Sequence, residues 1–290
     1  MPQWTIEEPR KLTFDSEISS LHVRIVGGTV NVVGTDEGSS RLEVTEIDGP
    51  ALIVSKDGST LTVAYEDLPW KGLLGWLDRK GWRRRAVVSV AVPIGTRVEL
   101  GVVSACAVVS GIGGRTSVRG VNGDTTLVGV SGSVDANTVS GNVDAQAVSG
   151  DLKVNTVSGE LTVVEGTGGR VKADSVSGGM VLDLDPRTGT DVRLNTVSGE
   201  VAIRLPDPGD AKVDANTASG AVSNAFDELR LTNQWGAKRL TGTLGKGNGK
   251  LRVTTVSGSV ALLRKPPAEE EFVDAPRDAR DPEDPEGKVL

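Results

Sequence analysis

The side chains with the plainest chemical capacity in this 290-residue chain are serines. A Ser-Gly pair preceded by Val or Ala occurs at Ser110, Ser131, Ser140, Ser149, Ser158, Ser177, Ser198, Ser219 and Ser257. A nucleophilic serine needs a base within hydrogen-bond reach. The one histidine, His22, lies in Leu21-His22-Val23-Arg24-Ile25, where strand alternation turns it outward. So many copies with no base beside them read as turn chemistry, not catalysis. The one cysteine, Cys106, sits in the apolar run 102–109 and is expected to be a buried thiol without a disulfide partner. Val121-Asn122-Gly123-Asp124-Thr125 is similar to a calcium-binding turn, but it occurs once and reads as a plain turn. No catalytic, cofactor or metal residues are expected.

Two further groups could act at a surface. Asp135, Asp144, Lys153, Lys172, Arg193, Asp214 and Arg252 fall at like positions of repeated segments and are expected to form one outward row. A polysaccharide-acting β-helix could use such a row. The plainer reading is solvated charge that discourages aggregation. The other group is the segment 68–85, which holds three of the five Trp. Trp70, Lys71, Leu73, Leu74, Trp76, Arg79, Lys80, Trp82, Arg83, Arg84 and Arg85 suit a partner contact or a peripheral contact with anionic lipid. The bland alternative is a loop whose Trp rings cover an open end of the fold.

The elements that must position these groups follow from spacing. From Ser131 to Ser158 the motif recurs every nine residues, then after 19, 21, 21 and 38. That predicts coils of about 18–21 residues with two similar halves. Val134-Asp135-Ala136-Asn137-Thr138-Val139 aligns with the segments at 152–157, 192–197 and 251–256. The period of two puts apolar residues inside and the charge outside. Like segments one coil apart should pair in register, which makes an all-β, parallel β-solenoid, right-handed by the crossover rule. Consecutive stacking from Leu12 to Leu263 would give some 13 coils and a rod of about 60 Å. Asn137, Asn155, Asn195 and Asn216 are expected to stack at corners, with Asn supplying a left-handed conformation. The Gly of the motif is either a turn residue or a point of close approach.

Composition agrees with a thin β core. Only Trp 5, Phe 3 and Tyr 1 are aromatic, whereas Gly numbers 37. The expected organisation is a less regular β region or cap at 1–91, a regular solenoid at 92–264 and an acidic, Pro-rich, disordered tail at 265–290. Lys56-Asp57-Gly58-Ser59 reads as a hairpin turn in the first part. From Lys265 onward four basic residues face nine acidic ones, so the tail supplies most of the net charge of −7. No basic footprint suggests nucleic acid. No apolar stretch has signal-peptide length, so a cytoplasmic location, peripheral to the inner face of the membrane, is the expectation.

The Thr-Val-Ser-Gly-x-Val/Leu units, the lead-in Val92-Pro93-Ile94-Gly95-Thr96 and the weak N-terminal strands together resemble a bacterial family of adhesin-like β-strand-repeat proteins, domain of unknown function 4097. The resemblance spans roughly residues 12–264. It implies a β-solenoid linked to the cell envelope or its stress responses, and it brings no catalytic residues. The expected function is a non-enzymatic structural or interaction protein whose partner is a protein or envelope component. The alternatives are a self-assembling, bactofilin-like scaffold and a polysaccharide-acting enzyme.

Overall fold

A computed structural model describes residues 2–65, 84–185, 189–207, 209–234 and 236–265. The described residues form 24 strands in one continuous, unclosed sheet and contain no helix. The middle of the chain is built from two facing walls. One wall carries β9 (Thr116–Gly120), β11 (Val134–Asn137), β13 (Leu152–Asn155), β15 (Arg170–Asp174) and β17 (Asp191–Thr196). The other carries β10 (Thr125–Val128), β12 (Val143–Gln146), β14 (Leu161–Gly166), β16 (Met180–Leu184) and β18 (Val201–Leu205). Each coil contributes one strand to each wall, and every strand pairs in parallel with its counterpart one coil away. Val134, Leu152, Val171 and Val192 stand in register on one wall. Val143, Leu161, Met180 and Val201 do so on the other. These side chains are buried between the walls. A β-solenoid with a two-part coil is therefore the fold.

The repeated Thr-Val-Ser-Gly makes the corner between the walls, and each of its residues has a separate task. The buried Thr hydroxyl accepts the N–H of the Gly three residues on, at 2.9 Å for Thr156 and Gly159 and 3.1 Å for Thr196 and Gly199. The Ser hydroxyl donates to the carbonyl of the motif Val one coil away, as from Ser158 to Val139 at 3.3 Å and from Ser177 to Val157 at 3.2 Å. The Gly is a point of close approach between coils, not a turn residue of positive φ. A Cβ on Gly159 would meet the Gly141 carbonyl oxygen at 2.0 Å, and one on Gly178 would meet that of Gly159 at 1.9 Å. No other residue type fits such a column.

Two strands begin the stack by running through both walls. β3 (Ser20–Thr35) pairs in parallel with β8 (Arg97–Ser110) on either side of a shared bend, Ile25 facing Val102 and Gly27 facing Ser104. Parallel β6 (Thr60–Tyr65) and β7 (Arg85–Pro93) cover the far edge of β3. Antiparallel strands finish this end: β5 (Leu52–Asp57) and β1 (Gln3–Ile6) on one wall, β4 (Ser40–Asp48) and β2 (Arg10–Phe14) on the other. The Asp57-Gly58-Ser59-Thr60 turn joins β5 to β6, with Gly58 at φ 55°.

The far end departs from consecutive stacking. β19 (Ala211–Thr217) and β20 (Val222–Asn224) do not lie on β17 and β18. The last coil among the described residues, β23 (Gly249–Thr255) and β24 (Val260–Arg264), is inserted between them. β22 (Ala237–Leu244) then pairs antiparallel with β19, and β21 (Arg230–Gln234) with β22. The glycine column follows space, not sequence: a Cβ on Gly258 would strike Gly199, and one on Gly220 would strike Gly258. The interval of 38 residues is thus a detour through a hairpin. Among the described residues, parallel layers run from β6 and β7 through β3 and β8 to β19 and β20 and number ten, not 13. One wall is nevertheless 14 strands deep, because antiparallel strands extend both ends. At about 4.8 Å per strand its depth is about 60 Å.

Alanine at Gly159 is expected to lower stability by about 1–3 kcal/mol or more, since backbone must move to admit it. Alanine at Gly169, whose Cβ would meet nothing nearer than 4.0 Å, should change stability by about 0.5 kcal/mol at most. Denaturant unfolding of both variants measures the difference. Equal losses would contradict the stacking column.

Candidate functional site

Six of the seven residues expected in the charged row do form one. Asp135, Lys153, Lys172, Arg193, Arg252 and Asp214 are register partners along one wall, with Arg252 brought in by the inserted coil. Asp144 belongs to the opposite wall, between Thr126 and Thr162. It lies half a coil from Asp135, and half a coil changes walls. Ion pairs occupy part of the row: Lys153 with Asp135 at 3.6 Å, Lys172 with Asp174 at 3.2 Å, and Asp214 with the Arg239 guanidinium at 3.0 and 3.1 Å. Arg193 and Arg252 face each other, both exposed, and have no acidic partner among the described residues.

The outer face of the opposite wall is nearly neutral, with Thr126, Asp144, Thr162, Val181, Ala202 and Ala261 in register. Along the corner between the walls runs a third row. Val139, Val157, Val176, Val197 and Val256 are each about half exposed, at 46–53%.

Asn137 and Asn155 stack as expected, the Asn155 amide donating to Asn137 at 2.7 Å. Asp174 takes the next place and accepts from Asn195 at 2.7 Å. The ladder lies within strands, and a left-handed corner is not its reason. Among the described residues only Ala147 and Glu165 are non-Gly residues at positive φ. The Asn122-Gly123-Asp124 turn is tied to the next coil, by the Ser140 hydroxyl on the Asn122 side chain and the Asn142 N–H on Asp124 at 2.9 Å. Among the described residues no group of His, Cys, Asp and Glu is arranged to hold a metal.

Cys106 is exposed, contrary to the expected buried thiol. The bend at Val103 and Ser104 places two successive residues outward, which reverses the inward phase of β8. Ala105, Ala107 and Val109 then fill the core, and Cys106 faces solvent. His22 is half-buried, with its Nε2 3.1 Å from the Ser20 hydroxyl and 3.9 Å from Glu99. Thiol and imidazole lie on different arms of the bent strands, with Cys106 opposite Thr29 and His22 opposite Glu99. Burial lowers the His22 pKa, Arg24 and Arg97 add to the effect and Glu99 opposes it.

Trp70, Lys71, Leu73, Leu74, Trp76, Arg79, Lys80, Trp82 and Arg83 lie outside the described residues, as does the tail from 266. Arg84 and Arg85 are described. The Arg84 guanidinium sits 5.5 Å from the centroid of the Tyr65 ring, and its carbonyl accepts the Gly27 N–H at 2.9 Å. Burial pushes the Tyr65 phenol up to about 12. Arg85 opens β7. One feature had no residue-level signal in the sequence: a cleft of about 340 Å³ under the β21–β22 hairpin, lined by Asn216, Thr217, Thr232, Gln234, Lys238 and Arg239. The break in the repeat between Phe226 and Gly249 was its one available mark.

Residues 122–263, which carry most of the repeat, match the model of the Toastrack DUF4097 family. The match begins later than the resemblance read from the N-terminal strands. Among solved structures, the chain is similar to a candidate cell adhesion protein from Clostridium sporogenes ATCC 15579, at 11% identity and a TM-score of 0.23, over 89% of this chain and 100% of that one. It is also similar to a candidate lipid binding protein from Parabacteroides distasonis ATCC 8503, at 12% identity and a TM-score of 0.45, over 90% and 98%. At these scores neither carries a functional argument. No curated protein matches the chain in sequence.

Two outcomes follow for the isolated side chains. Cys106 should react with a thiol reagent in the native protein as fast as in unfolded chain; protection of more than about tenfold would place it inside. The His22 ring protons should titrate by NMR with a midpoint below 6.5. Its folded pKa is the lower one, so the unfolded chain takes up the proton first and stability falls as pH drops through that range. Replacing His22 with Gln should remove this part of the pH dependence, and an unchanged profile would refute it.

Proposed function

We propose that this chain is a non-enzymatic interaction scaffold of the cell envelope, an adhesin-like solenoid that meets its partner with outer faces rather than a catalytic pocket. The observation that carries this reading is the division of labour among side chains. The Thr, Ser and Gly of the repeat are engaged in bonds and contacts between coils. The side chains left outward form unbroken straight rows, one charged, one nearly neutral and one of valines. Solenoids use such extended surfaces for binding. The family's implied envelope link favours a partner there, and the segment 68–85 has the Trp and basic residues that suit an anionic surface. End-to-end filament assembly is disfavoured by the antiparallel strands that extend both ends of the stack.

Co-sedimentation with anionic vesicles tests the envelope contact. Replacing Trp70, Trp76 and Trp82 with Ser should reduce the bound fraction of the full chain severalfold. Unchanged binding would reject the contact. Negative-stain microscopy of the same preparation should show single rods, and filaments would favour self-assembly instead.

A further inference from the structure

The insertion of the last coil has an electrostatic cost. Were β19 stacked directly on β17, Arg193 would stand opposite Asp214 and Asp191 opposite Lys212. The inserted β23 places Arg252 between Arg193 and Asp214, and Lys250 between Asp191 and Lys212, so each cation gains a like-charged neighbour on one side and keeps an acid on the other. With Lys153 and Lys172 next in line, four cations occupy four adjacent strands at about 4.8 Å intervals, a straight row of about 14 Å. Like charges directly opposite in a sheet are destabilising. Arg193, Lys212, Lys250 and Arg252 have no ion pair among the described residues. A depression of about 100 Å³ lined by Arg170, Lys172, Asp191 and Arg193 lies beside the row.

Resting on the scaffold reading above, we infer that this row binds a linear acidic polysaccharide with one carboxylate per sugar, lying across the strands along the stack. The row is one residue wide. Asp135 and Asp214 close its ends, and Asp151, Asp174 and Asp191 flank it. A broad anionic surface would meet all of those acids, whereas a single-file polymer follows the cations and competes only with Asp135 for Lys153 and with Asp174 for Lys172. Two positions downstream stands a parallel row of Asn155, Asp174, Asn195, Thr254 and Asn216, in which Asn195 donates to the one acid, Asp174, at 2.7 Å. These amides and hydroxyls suit sugar hydroxyls, while guanidinium groups take carboxylates in two-point contacts. Single-stranded nucleic acid would require aromatic stacking platforms. The outward rows of these strands hold none.

Affinity electrophoresis of the full chain in polygalacturonate gels tests this, with dextran, anionic vesicles and single-stranded DNA as comparisons. Retardation by polygalacturonate but not dextran is expected, weakening as salt rises. Arg193→Gln/Arg252→Gln should weaken it at least tenfold. Arg204→Gln/Arg264→Gln, the same charge change on the opposite wall, should leave it within twofold. The first variant should also melt no lower than the parent, because it relieves the facing pair. Absence of retardation, equal loss in both variants, or binding to vesicles or DNA that Arg193→Gln/Arg252→Gln weakens more than it weakens retardation by polygalacturonate would overturn the proposal; vesicle binding that this variant leaves unchanged belongs to the segment 68–85 and does not bear on the row. Shortening of the polymer, with retardation still lost in the first variant, would support the face and overturn the non-enzymatic reading.

Discussion

Everything in this molecule depends on how closely one coil can lie on the next. Parallel backbone hydrogen bonding sets the spacing at about 4.8 Å. At the corners that spacing leaves no room for a Cβ between successive carbonyl oxygens. Glycine is required there by contact, not by dihedral angle. Once glycine is fixed, the hydroxyls beside it bind the freed N–H and carbonyl groups, as Thr156 does for Gly159 and Ser158 for Val139. The column therefore sets the level at which each coil lies on the next and with it the strand register and the alignment of the outward rows, while coil length varies from 18 to 21 residues between Gly141, Gly159, Gly178 and Gly199.

Much of this was legible in the sequence, because each coil states the same pattern. The two-part coil, the inward alternation of residues such as Val134 and Leu152, and the Asn137–Asn155 stack follow from spacing alone. What was not legible was order. The segments at 191–196, 211–217 and 249–255 share one alternation, so each fits beside either of the others. Register chemistry fixes which residue faces which level but not which coil is neighbour to which. Cys106 failed for a related reason: an extra outward residue at a bend resets the inward phase, and a run of small apolar residues gives no mark of where that happens. Asp144 was assigned to the wrong wall because half-coils look alike in sequence and face opposite ways.

In-register stacking also shapes what the surface can offer. A single outward residue type, repeated, becomes a line. The exposed valines make an apolar line along one corner, and the cations from Lys153 to Arg252 make a charged line on one wall. Such lines suit extended partners better than compact ones. The cleft under the β21–β22 hairpin, more than three times the volume of the depression beside the cations, occurs where the repeat is interrupted.

The interruption has a consequence in time as well as space. Residues 249–264, made after residues 211–224, occupy a layer interior to them, and residues 211–224 cannot reach their final neighbours until that layer exists. During synthesis the edges of β17 and β18 stay unpaired or hold a provisional partner that must later give way. The stack is therefore completed by wedging residues 249–264 between segments made before them. Loss of the last coil would leave a gap inside the rod rather than a shorter rod.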